Sequence, residues 1–230
     1  MRVEGSNSAL TNLRNAPKVG SGKATAGTLA RKSLGETPPV RVPMDQLGAL
    51  AALFAHGGLV SRLKRKLNRL KGKKCEVVPA KGTIACVDSQ DIVYLGVDFL
   101  SENLDHEDVI AGVLAHEWGH TCADRPEEGD IQHLNWDEIF ELRRAHEVLA
   151  DELSGRLLAL LGYKPDGLIG FLLKIGKNTH NLKYHSPRVR AEIIRRGFND
   201  EKRKMQLARD LFGSSLYSND HVSQLIEEDR

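Results

Sequence analysis

Two histidines four residues apart, His116 and His120, with Glu117 directly after the first, form the stretch of this chain best suited to chemistry. On an α-helix, positions i and i+4 lie one above the other on the same face. Two imidazoles so placed can aim at one point, about 2.0–2.1 Å from a zinc ion. Glu117 sits one step round the helix, where its carboxylate can reach a metal-bound water and serve as general base and proton shuttle. A helix must carry these groups, and the preceding residues supply it. Val109, Ile110, Val113, Leu114 and Trp118 recur at helical spacing, and Asp105 with Asp108 offers an N-terminal cap.

A catalytic zinc site takes three protein ligands and keeps one position open. The extended motif with a third histidine needs glycine at 123 and histidine at 126, and Ala123 and Pro126 exclude it. A second helical run covers residues 137–161, in which Glu147 and Asp151 again share one face at i and i+4. Packed against the first helix, it can bring Glu147 to the metal while Asp151 bonds the outer nitrogen of a histidine ligand. Glu141, His146 and Glu152 are rival ligands on the same run, and spacing does not dismiss them.

The ordered set of motifs resembles the gluzincin metallopeptidases of the CaaX prenyl protease/HtpX type. The similarity runs from about residue 58 to 197 and rests on His116-Glu117-Trp118-Gly119-His120 followed by Glu147-Val148-Leu149-Ala150-Asp151. It is supported by Gly82-Thr83-Ile84-Ala85-Cys86 before the motif, and by Leu161-Gly162-Tyr163-Lys164-Pro165 and His185-Ser186-Pro187-Arg188-Val189-Arg190 after it. The resemblance implies one zinc per chain on His116, His120 and Glu147, with Glu117 as general base and Asp151 behind a histidine ligand. It also implies a late histidine, His185, facing the reaction centre as an oxyanion stabiliser. The fold it implies is α+β and mostly helical, a zincin-like domain with a small β-sheet beside the HExxH helix. In that sheet Thr83, Ile84 and Ala85 form an exposed edge strand that holds a protein or peptide substrate by backbone bonds. The chain departs from the family pattern at Ser186, where proline commonly follows the histidine, and its arginine stands one residue closer. Members often carry membrane helices, and none is visible here.

The 230 residues suit one domain with appendages. The longest apolar run, residues 47–55, is too short to span a bilayer and is followed by His56. The first residues lack an apolar h-region. A cytoplasmic location is therefore expected, with export lacking an N-terminal signal left open. Three cysteines do not make a disulfide framework. Cys75 and Cys86 are expected to face each other across a hairpin turning near residues 80–82, as reduced thiols. Cys122 reads as a small residue closing the metal helix, with a fourth-ligand or redox role as the alternative. The formal charge of +2 hides a division: residues 1–74 hold 15 Lys and Arg against 3 Asp and Glu, a net of +12, and the rest hold 18 against 28, a net of −10.

Residues 1–43 are rich in Gly, Ser, Thr, Asn, Lys and Pro, without an amphipathic period, and read as a disordered basic tail. The metallopeptidase domain is expected over 44–198. Within it, Leu59, Leu63, Leu67 and Leu70 line one face of a helix whose other faces carry Arg62, Lys64, Arg65, Lys66, Arg69 and Lys71. Such a helix either packs its leucines on the core or contacts a membrane surface or acidic partner peripherally. No aromatic side chains interleave these cations, so no nucleic-acid partner is expected. A loop from Cys122 to Asn135 carries His133 and has the length of a rim or lid. Residues 199–230 read as a helical extension. Oligomeric state is not legible. The chemistry expected is zinc-dependent endopeptidase hydrolysis. Its alternative is a catalytically silent or latent module that binds a protein through the basic N-terminal half.

Overall fold

The computed structural model describes residues 39–72, 74–122, 134–176 and 184–212. Residues 1–38 of the expected tail, His133 with its loop, and residues 213–230 lie outside the described residues. The described chain is α+β and mostly helical with one four-stranded sheet. No helix among the described residues is long and apolar enough to cross a membrane.

Strand β1 (Val40–Arg41) leads through two 3-10 turns into the short helix α1 (Ala51–Phe54) and then α2 (Leu59–Lys71). Leu59, Val60, Leu63 and Leu67 of α2 are buried at helical spacing, so its leucine stripe is committed to the core and its cations face outward. Leu70 departs from the expected stripe and is exposed, because it lies in the last turn where the core ends. Gly72 stops the helix in the left-handed region (φ 60°), a conformation that costs glycine nothing. The Asn68 side chain then clasps both backbone groups of Cys75, turning the chain into β2.

The strands β2 (Glu76–Lys81), β3 (Ala85–Val87) and β4 (Ile92–Gly96) do not follow a simple meander. The order is β1-β2-β4-β3, with β2 parallel to β4 and both edge strands antiparallel to their neighbours. The hairpin expected between Cys75 and Cys86 is therefore absent, since β4 lies between their strands. Residues 82–84 carry the chain across to the far side of β4, and the Gly96 N–H donates to the Ile84 carbonyl at 2.8 Å. The two cysteines are buried and form no disulfide. Ala85 opens the edge strand β3, with Thr83 and Ile84 leading into it and Ile84 exposed.

After α3 (Val97–Glu102), helix α4 (Glu107–Cys122) runs through the centre of the molecule. It is buried on nearly every side from Val109 to Thr121, with Trp118 fully enclosed, which is how a helix apolar all round must sit. The sheet, α2, α5 (Trp136–Leu161) and α6 (Asp166–Ile175) pack around it. Glu107 and Asp108 stand inside its first turn, where acidic groups complement the helix dipole.

Helix α5 opens on a capping box in which Asn135 and Glu138 exchange side chain-to-backbone bonds, and it closes at Gly162. Its partner α7 (Pro187–Phe212) runs unbroken through the boundary expected near residue 198. The two lie in backbone contact: a Cβ at Gly155 would stand 2.1 Å from the Ile194 carbonyl oxygen, and one at Gly197 2.1 Å from that of Glu152. Only residues without a side chain permit that approach. Strand β1 is thus part of the sheet, although composition groups residues 40–41 with the tail, and α7 continues as one helix into the expected extension, where most residues are exposed.

Candidate metal centre

The site forms where α4 crosses α5, and Gly119 sets the distance between them. A Cβ at Gly119 would lie 2.7 Å from Ala150 Cα and 2.8 Å from its carbonyl oxygen, closer than real side chains come. Because the helices touch there, His116 and His120 on α4 meet Glu147 and Asp151 on α5 (one turn apart, on one face).

Three ligand atoms converge. Nε2 of His116 and Nε2 of His120 are 3.1 Å apart, Oε2 of Glu147 lies 3.4 Å from the first, and its other oxygen, Oε1, lies 3.6 Å from the second. A tetrahedral ion with bonds of about 2.0–2.1 Å places its ligands about 3.3–3.4 Å apart, so each imidazole nitrogen has a carboxylate oxygen near that distance. This group can hold a metal ion. Oε2 of Glu147 is buried and makes no hydrogen bond, an arrangement that a cation at the centre would satisfy. The rivals Glu141, His146 and Glu152 are not in the cluster. Glu141 is exposed, His146 is half-buried, and Glu152 pairs with Arg156 and Arg196.

The electrostatics follow from this crowding. Burial opposes charge on His116, yet bonds to Asp151 and Glu147 outweigh it and push its pKa up to about 10. Burial, with His116 adding to it, pulls His120 down to about 4. Burial would raise Glu147, but His120, His116 and Arg190 hold it well below the usual carboxylate range. Without a metal, His116 is thus the ring that favours the extra proton and His120 the one that disfavours it, and ligation through neutral imidazoles must release that proton.

Behind the ligands, Asp151 Oδ1 lies 3.0 Å from His116 Nδ1. Asp151 is fully buried, and its charge is met by Arg190, whose Nε and Nη2 donate to its two oxygens at 2.7 and 2.8 Å. Arg190 Nη2 also stands 3.5 Å from both His116 Nε2 and Glu147 Oε2. Spacing along the chain assigns Arg190 no role. Its signal is the buried Asp at position 151, which requires a cation from elsewhere. Tyr184 and Arg143 continue the network: Arg143 Nη2 donates to the Tyr184 hydroxyl at 3.0 Å, and both Arg143 and Arg190 lie over the Tyr184 ring, 5.2 and 5.3 Å from its centroid.

Glu117 is buried on α4, between the two histidines in sequence. His185 is half-buried in the segment ahead of α7 and is not part of the ligand cluster, whereas Arg190 of α7 stands against two of its members. Thr83, Ile84 and Ala85 lie at the β3 side of the sheet, and β3 packs beside α4. Cys122 is partly buried at the end of α4, with its sulfur 3.7 Å from Thr121 Oγ1 and outside the ligand cluster. Comparison with protein-family models, with curated proteins and with solved structures finds no match to this chain.

Proposed function

We propose that the chain is a zinc-dependent endopeptidase of the gluzincin kind. The observation that carries this reading is the convergence of His116, His120 and Glu147, one ligand atom from each lying within 4.8 Å of the others, with Glu117 on the same helix as the histidines. Zinc suits two imidazole nitrogens and one carboxylate at such short edges. Calcium takes six to eight oxygens at about 2.3–2.6 Å, and magnesium favours octahedral oxygen. When bound, zinc supplies a Lewis acid and a water activated near neutral pH. Glu117 takes the proton from that water and returns it to the departing amine. Asp151 holds the His116 ring so that Nε2 faces inward, and His185 is the proposed donor to the developing oxyanion. The substrate strand pairs with the β3 edge near Thr83, Ile84 and Ala85.

Zinc content per chain, wild type beside Glu147→Ala, tests the metal. About one zinc in wild type and little in the folded variant is the result expected; none in wild type after reconstitution ends the reading. A peptide screen of wild type beside Glu117→Gln tests the chemistry. The second reading, a silent or latent module, draws on the cations that α2 turns outward while Leu59, Leu63 and Leu67 are buried. Stoichiometric zinc without cleavage of any peptide, also after removal of residues 1–38, would favour it.

A further inference from the structure

Arg190 is a cation only 3.5 Å from two of the atoms that would bind the metal. Its two bonds to Asp151 fix the edge of the guanidinium, but the group can still pivot about that edge toward Glu147. A guanidinium that swings inward competes with a metal ion for Glu147 and His116. Something must hold it on the Asp151 side, and the neighbouring contacts name the residue. The Tyr184 ring lies against Arg190, and ring and cation attract through the ring's quadrupole. Tyr184 is itself fixed from α5: Arg143 donates to its hydroxyl and lies against the same ring. Arg143 is buried with Nε and Nη1 making no hydrogen bond, so its described polar contact is the one to Tyr184. A buried guanidinium with unmet donors is costly, and a cost kept beside a candidate site points to a positioning task.

We propose that Tyr184 is a positioning residue that keeps the Arg190 guanidinium on Asp151 and out of the metal position, with Arg143 as its anchor. The inference rests on the metal reading above. It assigns no contact between Tyr184 and substrate. Arg143, Glu147 and Asp151 follow one another at intervals of four on α5, so one helix face supplies the anchor, the ligand and the clamp.

The test is a double-mutant cycle on the full chain, read as the zinc dissociation constant from chelator competition, with melting temperature recorded beside it. Tyr184→Leu should weaken zinc about tenfold, the scale of supporting residues around metal ligands. Tyr184→Phe and Arg143→Met, which keep bulk and lose the anchoring bond, should each weaken it about threefold. In an Arg190→Gln background, adding Tyr184→Leu should change the constant less than about twofold, whatever Arg190→Gln does alone. Equal losses in both backgrounds would reveal a merely structural role and overturn the proposal, as would wild-type affinity in Tyr184→Leu. Should Tyr184→Leu not fold, Tyr184→Phe takes its place in the cycle, and equal losses in both backgrounds again overturn the proposal. Failure of wild type to bind zinc overturns the metal reading and this inference together; zinc binding indifferent to residue 184 overturns this inference alone.

Discussion

The Asp151 carboxylate lies 3.0 Å from Nδ1 of His116, an ion-pair contact out of line for a hydrogen bond, while Nε2 of the same ring faces His120 and Glu147. Asp151→Asn should lower zinc affinity about 10–100-fold, measured by chelator competition. It also takes from Arg190, nearly enclosed, the closer of its two anionic partners, leaving Glu147 at 3.5 Å. Breaking a buried pair on one side costs about 3–5 kcal/mol, so chemical denaturation should show a loss of that order. An unchanged midpoint would mean that the pair is solvated.

Glu117→Gln preserves size and removes the carboxylate proposed as the base. Zinc content should stay near one per chain while turnover of a cleaved peptide falls about 10²–10⁴-fold, the usual worth of a positioned proton-transfer group. Retained turnover would reassign the base.

Gly119→Ala sets two effects against each other. A helical Gly→Ala replacement gains about 1 kcal/mol in propensity. Here the added methyl meets the Ala150 backbone at 2.7 Å, and backbone cannot rotate away. Overpacking of about 1–3 kcal/mol should win, giving a lower melting temperature. As α4 and α5 part, zinc affinity should fall as well. A variant that melts higher and binds zinc normally would show that the crossing tolerates a side chain.

Gly155→Ala makes the same intrusion at the crossing of α5 with α7, where its Cβ would stand 2.1 Å from the Ile194 carbonyl oxygen. Its stability loss should match or exceed that of Gly119→Ala, because two backbones must separate. By shifting the helix that carries Arg190, it should also weaken zinc. Leu67→Ala serves as the contrast: a fully buried leucine far along the chain from the ligands should cost about 2–5 kcal/mol and leave the zinc dissociation constant unchanged.

The sequence is most legible where chemistry depends on helical spacing. His116 and His120, and Glu147 with Asp151, are pairs at i and i+4, and a helix fixes their relation before anything else folds. Which helix meets which is less legible, and the choice of Glu147 over Glu141 or Glu152 needs the packing at Gly119. The pairing of Arg190 with Asp151 is hidden because the two stand 39 positions apart. No local period encodes that distance. The expected hairpin fails for a related reason: alternation shows which residues form strands, not which strands are neighbours. The capping box is a different case. Asn135 and Glu138 stand at the three-residue spacing that marks a helix start, and their capping box begins α5 at Trp136, one residue ahead of the run that apolar spacing places from residue 137.

The strand order carries a practical warning about trimming the N-terminus. Strand β1 is two residues long, yet together with Val42, whose N–H bonds Pro79, it shields the outer side of β2. It stands three strand spacings from β3, about 14 Å across the sheet. A truncation ending at residue 38 should leave a well-behaved monodisperse protein, if the intact chain is one. A truncation ending at 43, where composition alone suggests cutting, would strip β1 and bare a second row of backbone donors and acceptors. Such a row pairs readily with its like, so the shorter protein should self-associate through β2 in light scattering, at the side of the sheet away from β3.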